Sequence, residues 1–327
     1  EHLTVNQRVL GSSPRGRAIK SASCRLFLFI PMLISDKVSI YLQVITANVL
    51  WGFSFVWTEI ALSSFLPITI TVARLTLATF LLFFVARAMK KFHPIKHGDL
   101  KWFAALALFE PFLYFLFETY GQTMVSPTIT SVIIALIPLG LLIAGNLILK
   151  EKITFIIATG VAISLTGVVV VVLDQGGSFS AQPLGVLLIF GAVITAIFYS
   201  IILKRITHKY NSIMIVFYQN LIGLLYFLPL LLIFDVPHWG EKEITLRAIN
   251  SIILLSVFAS VIAFIFHSNG VRSLGVTKAG IFANLIPVLT AFFSFLIIGE
   301  ELTYLQIFGI FVVVLGLYLS QIKMKRL

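Results

Sequence analysis

Five ionisable side chains sit inside long apolar stretches of this 327-residue chain: Glu59, Arg74, Glu110, Glu118 and His267. A charge in hydrocarbon is costly, so such groups face a cavity or a partner and mark paths for solutes, ions or protons. Arg74 carries a fixed, always-charged fork that suits a carboxylate or a phosphate. Its depth equally permits an ion pair with Glu118 or Glu110 that does no more than lock two segments together. Glu110 and Glu118 are eight residues apart and share one helix face, where a carboxylate is a candidate carrier of a coupling proton. His267 reads as a titratable gate or as a plain interfacial histidine, and Glu59 as an interfacial carboxylate. His93 and His97 have metal-like spacing, but Pro94 interrupts the helix that would align them, and the surrounding lysines make a cationic loop. The sequence contains neither a G-x-x-x-x-G-K-[ST] phosphate loop nor an H-E-x-x-H zinc motif. One cysteine, Cys24, excludes an internal disulfide or a Cys-rich metal cluster. No cofactor is expected.

The elements that position these groups must be membrane helices. Hydrophobic residues make up 59% of the chain and charged residues only 11%, where a soluble domain averages about 25% charged. A bilayer core needs about 20 apolar residues per helical span. Ten such segments are predicted, at about 39–62, 67–89, 100–121, 126–148, 153–173, 183–203, 212–234, 247–270, 276–298 and 303–322. The net charge of +11 does not indicate nucleic acid, because the basic residues cluster in short loops between apolar runs.

The second half of the chain repeats the first. At a shift of 149 residues, Leu136-Ile137-Pro138 falls on Leu285-Ile286-Pro287, Glu151 on Glu300, Thr154 on Thr303, Gly160 on Gly309 and Gly167 on Gly316. From 117 to 167 there are 12 identities in 51 aligned positions. Ten spans split five and five at the loop 174–182, so the second repeat is inserted upside down. The expected architecture is an all-α integral membrane protein of ten transmembrane helices in two inverted five-helix repeats, 32–173 and 183–322. With the N-terminus cytoplasmic, 15 basic residues fall in the cytoplasmic loops and tail, and only Lys242 and Arg247 on the other side. Both termini are therefore expected in the cytoplasm, and the protein in the inner (plasma) membrane.

Residues 1–31 stand outside this pattern. They are polar and basic, and the apolar stretch 26–30 is too short to span. They read either as peptide translated through an upstream transfer-RNA gene, with the natural start at Met32, or as a disordered cytoplasmic tail.

Pro111, Pro138, Pro229 and Pro287 lie inside predicted spans, where each removes a backbone hydrogen bond. Pro138 and Pro287 are repeat-related, so paired kinks are expected in spans 4 and 9, beside a binding cavity. Asn284, Thr128 and Thr277 are candidate polar lining; Trp51, Trp57, Tyr114, Tyr199 and Tyr218 are candidate aromatic walls. Gly160 and Gly167, with Gly309 and Gly316, mark small-residue faces for close packing inside the bundle or across a homodimer. Glu151 and Glu300 read as loop or helix-capping carboxylates.

Trp51-Gly52-Phe53-Ser54-Phe55, Arg74 and the paired Pro138…Glu151 and Pro287…Glu300 elements resemble the drug/metabolite transporter superfamily, in its EamA-type ten-helix branch. The likeness covers 39–322. The second half departs from it: Trp51-Gly52 aligns with Thr195-Ala196 and Arg74 with Tyr218, at an offset of 144. The resemblance implies a secondary transporter, in the export direction, with a central cavity for a small organic metabolite such as an amino acid or drug-like compound. Arg74 and Glu118 are the leading substrate or coupling residues, with Glu110, His267, Trp51, Asn284 and Tyr218 beside them. Two other readings are an integral membrane enzyme acting on lipid or headgroups, and a non-transporting sensor or channel subunit. The first would need clustered nucleophiles or metal ligands at one interface, the second a soluble domain or a continuous polar pore.

Overall fold

The computed structural model describes residues 36–149, 155–172 and 182–321. Glu151, residues 1–31 and the start expected at Met32 lie outside the described residues. The chain divides into Glu1–Ser39, of which only the start of the first helix is described, and the compact unit Ile40–Leu327.

Every regular element among the described residues is helical. In order these are α1 (Asp36–Leu62), α2 (Pro67–Ala88), α3 (Leu100–Ala107), α4 (Tyr114–Gln122), α5 (Pro127–Ile134), α6 (Ile137–Leu149) and α7 (Phe155–Val172). The remainder are α8 (Pro183–Thr207), α9 (Ser212–Leu230), α10 (Leu246–Leu254), α11 (Phe264–Leu274), α12 (Val276–Gly280), α13 (Ile286–Ile298) and α14 (Tyr304–Gln321). Wider π-helical turns join α3 to α4 (Leu108–Leu113) and α10 to α11 (Leu255–Ala263), and a 3-10 stretch (Ile281–Leu285) joins α12 to α13.

Among the described residues, eight helices are long and apolar enough to cross a membrane, some counted across these irregular joints. They are Lys37–Leu62, Pro67–Ala88, His97–Gln122, Pro127–Ala144, Pro183–Thr207, Ser212–His238, Leu246–Leu274 and Val276–Ile298. The two other stretches expected to span hold shorter apolar helices, Ala158–Val172 and Tyr304–Leu319. Phe80, Phe84, Phe292, Phe295, Phe308 and Phe311 are all more than half exposed. Such a surface is stable against lipid rather than water, as an integral helical membrane protein requires.

Local sequence sets the helix starts. Pro67, Pro127 and Pro183 occupy the first turn of their helices, where a missing N–H costs nothing. The side chains of Ser126, Asn211 and Thr245 accept hydrogen bonds from the amides of Ile129, Met214 and Ala248. Thr303 and Gln306 form a reciprocal capping box at the start of α14, with bonds of 3.0 and 3.2 Å. Glu300 therefore does not cap α14. Its Oε2 accepts from the hydroxyl of Thr128 (2.8 Å) in the first turn of α5, half a chain away.

Among the described residues the most extensively packed pair of helices is α7 with α14. A Cβ placed on Gly167 would lie 2.6 Å from the amide nitrogen of Val313, and one on Gly309 2.6 Å from Cγ2 of Val171 and 3.0 Å from its amide nitrogen. Gly316 faces the backbone of Ser164 and Gly160 in the same way. Between these contacts the Ser164 hydroxyl donates to the carbonyl of Val313 at 3.3 Å. Only glycine lets two backbones approach this closely.

Loop contacts collect into two faces. On one, Lys209 pairs with Asp99 at 2.7 Å, Tyr210 donates to the same carboxylate, and Arg272 donates to the carbonyls of Thr207 and Tyr210. On the other, Thr69 donates to Asp235 through both amide and hydroxyl, Ser64 bonds Thr245, and Lys242 donates to the carbonyl of Leu62.

Candidate functional site

Where two helices break, a cavity forms between them. The helix carrying Pro138 stops after Ile134 and restarts at Ile137, leaving Pro138 at the second position of α6. The stretch carrying Pro287 runs from α12 through the 3-10 turn and restarts at Ile286, leaving Pro287 at the second position of α13. A proline in a first turn gives up no helical hydrogen bond, so each restart is compatible with its proline. A third irregularity lies at Glu110, whose backbone (φ −150°, ψ 120°) leaves the helical region just before Pro111.

The cavity, with a water-accessible volume of about 80 Å³, is lined by Trp51, Ser54 and Phe55 of α1, Arg74 of α2, Glu110 at the α3–α4 joint, and Tyr114, Phe115 and Glu118 of α4. Pro138 of α6, Tyr199 and Ser200 of α8, Phe264 and His267 of α11, and Ile286 of α13 complete most of its wall. That volume holds several waters, at about 10–15 Å³ for each. Trp51, Arg74, Glu110, Glu118 and His267, far apart in sequence, therefore share one chamber. Its remaining lining is mostly apolar.

Arg74 is 4% exposed, Glu110 7% and Glu118 3%. The Arg74 Nε donates to the hydroxyl of Ser260 at 2.6 Å, and its guanidinium lies over the Phe115 ring, 4.0 Å from the centroid. Among the described residues the one ion pair within 4.0 Å is Lys209–Asp99. The close Arg74–Glu118 or Arg74–Glu110 pair that the sequence permits is therefore not made; both carboxylates act on Arg74 through space rather than by contact. Glu118 Oε2 is buried, with no hydrogen-bond partner among the described residues, and the same holds for Nδ1 of His267. The His267 ring packs on Trp51 at 5.0 Å, and Trp51 also meets Phe264 edge-on at 5.4 Å.

The other expected site residues lie elsewhere. Tyr218 packs against Phe103 and donates to the carbonyl of His93 at 3.4 Å, on the face of the Lys209–Asp99 pair. Asn284 falls in the 3-10 turn Ile281–Leu285; its neighbour Ala283 lines the cavity and Asn284 does not. Thr128 is held by Glu300. Glu59 and Trp57 are outside the wall, and Trp57 stacks on Phe53. Among the described residues no group of His, Cys, Asp or Glu could hold a metal ion.

Sequence reasoning missed Asn48, Ser54, Phe115, Ser200, Phe264 and the Arg74 partner Ser260. A helical-period signal was present for some of them. Asn48, Trp51 and Phe55 follow one face of α1, and Tyr114 and Glu118 one face of α4.

The EamA-like transporter family matches this chain over residues 38–173 and 183–321. An uncharacterized transporter of Archaeoglobus fulgidus is 27% identical over 269 residues, which cover 82% of this chain and 94% of the relative. The uncharacterized transporter YetK of Bacillus subtilis is 26% identical, covering 66% of each chain. A chloroplastic WAT1-related protein of Arabidopsis thaliana is 24% identical over 82% of this chain and 66% of its own length. A solved crystal structure shares the fold with a TM-score of 0.66 at 17% identity, covering 86% of this chain and 98% of the other. With both matched segments together spanning most of its length, the chain belongs to the EamA-like transporter family and is a multi-pass membrane transporter rather than an enzyme.

Proposed function

We propose that the protein is a ten-helix secondary transporter built of two inverted five-helix repeats, which exports a small organic metabolite by alternating access through the Arg74–Glu118 cavity. The observation that carries this reading is the make-up of the cavity wall. At the 149-residue offset, Phe115 corresponds to Phe264, Glu118 to His267, Ile134 to Ala283 and Ile137 to Ile286, and every one of these residues lines the chamber. A chamber walled by repeat-related positions lies between the repeats, where an alternating-access site belongs.

The α7–α14 crossing supports the inversion. Ser164 bonds Val313, its own counterpart at the 149-residue offset, and Gly167 meets Gly309 on one side of that bond as Gly160 meets Gly316 on the other. Residues that touch their own repeat partner lie on a local two-fold axis between antiparallel helices. The basic loops on the Lys209–Asp99 face favour a cytoplasmic placement for that face and for both termini. Glu110 and Glu118 are the carboxylates through which a proton could couple to the cycle.

Purified protein in liposomes tests the reading by counterflow. Vesicles loaded with unlabelled amino acids, amines or other small metabolites should accumulate the labelled form of at least one. Absence of counterflow for every solute class, in vesicles where the protein is folded, overturns it. Thiol labelling of single cysteines at Lys91 and Lys242, in a Cys24→Ser background, should report opposite sides; labelling from one side overturns the inversion.

A further inference from the structure

The cavity holds one guanidinium and two carboxylates. A buried charge is tolerated when another charge balances it, and Arg74 can balance only one of Glu110 and Glu118. The second carboxylate either holds a proton or, once ionised, needs a cation of its own, and apart from His267 the cavity wall among the described residues supplies no further basic side chain. The two sides of this chemistry are unequally committed. Arg74 already has its Nε on Ser260 at 2.6 Å and its flat face on Phe115 at 4.0 Å. Glu118 keeps Oε2 buried and without a hydrogen-bond partner among the described residues, at a residue only 3% exposed. Trp51, Tyr114, Tyr199 and Phe264 line the same cavity. Aromatic faces attract cations and accept apolar bodies without asking for hydrogen bonds.

Resting on the transport reading above, we propose that the cavity recognises an organic cation, a primary or secondary amine on an apolar, aromatic-sized body, with Glu118 as its counter-charge. The ammonium donates to Oε2 of Glu118, and the body lies against the aromatic wall that Trp51 and Phe264 form together. Arg74 is a positioning residue: it holds one carboxylate ionised and fixes Phe115, rather than receiving a substrate carboxylate. The shared frame is apolar, so body shape discriminates weakly and charge discriminates strongly, because a misplaced anion would stand beside two carboxylates with one guanidinium to offset them.

The test is direct binding to the detergent-solubilised full chain by calorimetry, with 3-phenylpropylamine, phenylalanine and 3-phenylpropionate as probes of nearly constant body and changing charge. The amine is expected to bind at least about tenfold more tightly than the carboxylate. Glu118→Gln should remove that preference while the protein stays monodisperse with an unchanged melting temperature. If 3-phenylpropionate binds as tightly as the amine, or if Glu118→Gln leaves amine affinity intact, the proposal is overturned, and the comparison among wild-type ligands decides it even where the variant misfolds. Liposome counterflow with the same amine separates the two readings. Binding of the amine without its counterflow upholds the site and refutes transport of that amine, leaving transport itself to the full solute series; counterflow of phenylpropionate but not of the amine upholds transport and refutes the site.

Discussion

The two halves of the chain line one chamber with matching positions and different chemistry. On the first-half wall, α4 presents Phe115 and Glu118; on the second-half wall, α11 presents Phe264 and His267 at the same spacing. The two phenylalanines meet across the chamber, edge to face, with ring centroids 6.5 Å apart. The helices that lead into these walls also agree, since each passes through π-helical turns just before the lining residues. Beyond the phenylalanine the walls diverge. The first half adds Arg74, Glu110 and Trp51, and the second adds the partner hydroxyl of Ser260 and the ring of Tyr199. The repeat-related phenylalanines keep the packed aromatic frame common to both halves, whereas the charges differ, so a solute meets Glu118 on one wall and His267 on the other.

The sharpest way to break this comparison is at the place where the halves are most alike. Gly167→Leu and Gly316→Leu each drive a side chain into the partner helix backbone on the α7–α14 seam, so each should destabilise the protein by about 3 kcal/mol. The melting temperatures of the two variants in detergent should fall together. One variant melting like wild type would show that the seam is not symmetric.

The next largest effect should be unequal by design. Glu118→Gln and His267→Gln remove repeat-related ionisable groups, both in the chamber wall. Counterflow should fall at least about tenfold for the first, which removes a counter-charge, and about threefold or less for the second, which removes a ring packed on Trp51. Equal losses would mean that the halves share the chemistry as well as the shape.

Much of this frame was readable before any coordinates. Span positions follow from runs of apolar residues, and the helix restarts at Pro138 and Pro287 fall where proline cannot continue a hydrogen-bonded turn. Arg74, Glu110, Glu118 and His267 announced themselves because charge is rare in such runs. What the sequence could not supply was adjacency. Ser260 lies 186 residues from Arg74 and looks like one more small residue in an apolar stretch. Nothing local to Thr128 says that its hydroxyl will donate to Glu300. Tyr218 aligns with Arg74 by repeat offset, yet it lies by the His93 loop while Arg74 faces the chamber. A one-dimensional offset carries position along a helix but not which neighbour that helix turns toward.

The smallest effect separates a guanidinium that positions from one that binds. Arg74→Lys keeps the positive charge near Glu110 and Glu118 but loses the planar stacking on Phe115 and the Nε donor to Ser260. One hydrogen bond and one cation–π contact are lost, each worth about 1 kcal/mol, and the lysine recovers part of both. Stability should therefore fall by about 1 kcal/mol, and Ser260→Ala should cost a similar amount in the wild type and less in the Arg74→Lys background, since most of the bond is already lost there. A double-mutant cycle on melting in detergent measures that coupling. Amine affinity should change less than about threefold in Arg74→Lys, because charge balance in the chamber is retained. A loss as deep as that of Glu118→Gln would move Arg74 from the frame of the first half into its binding chemistry, and the contrast between the halves would then rest on two first-half residues instead of one.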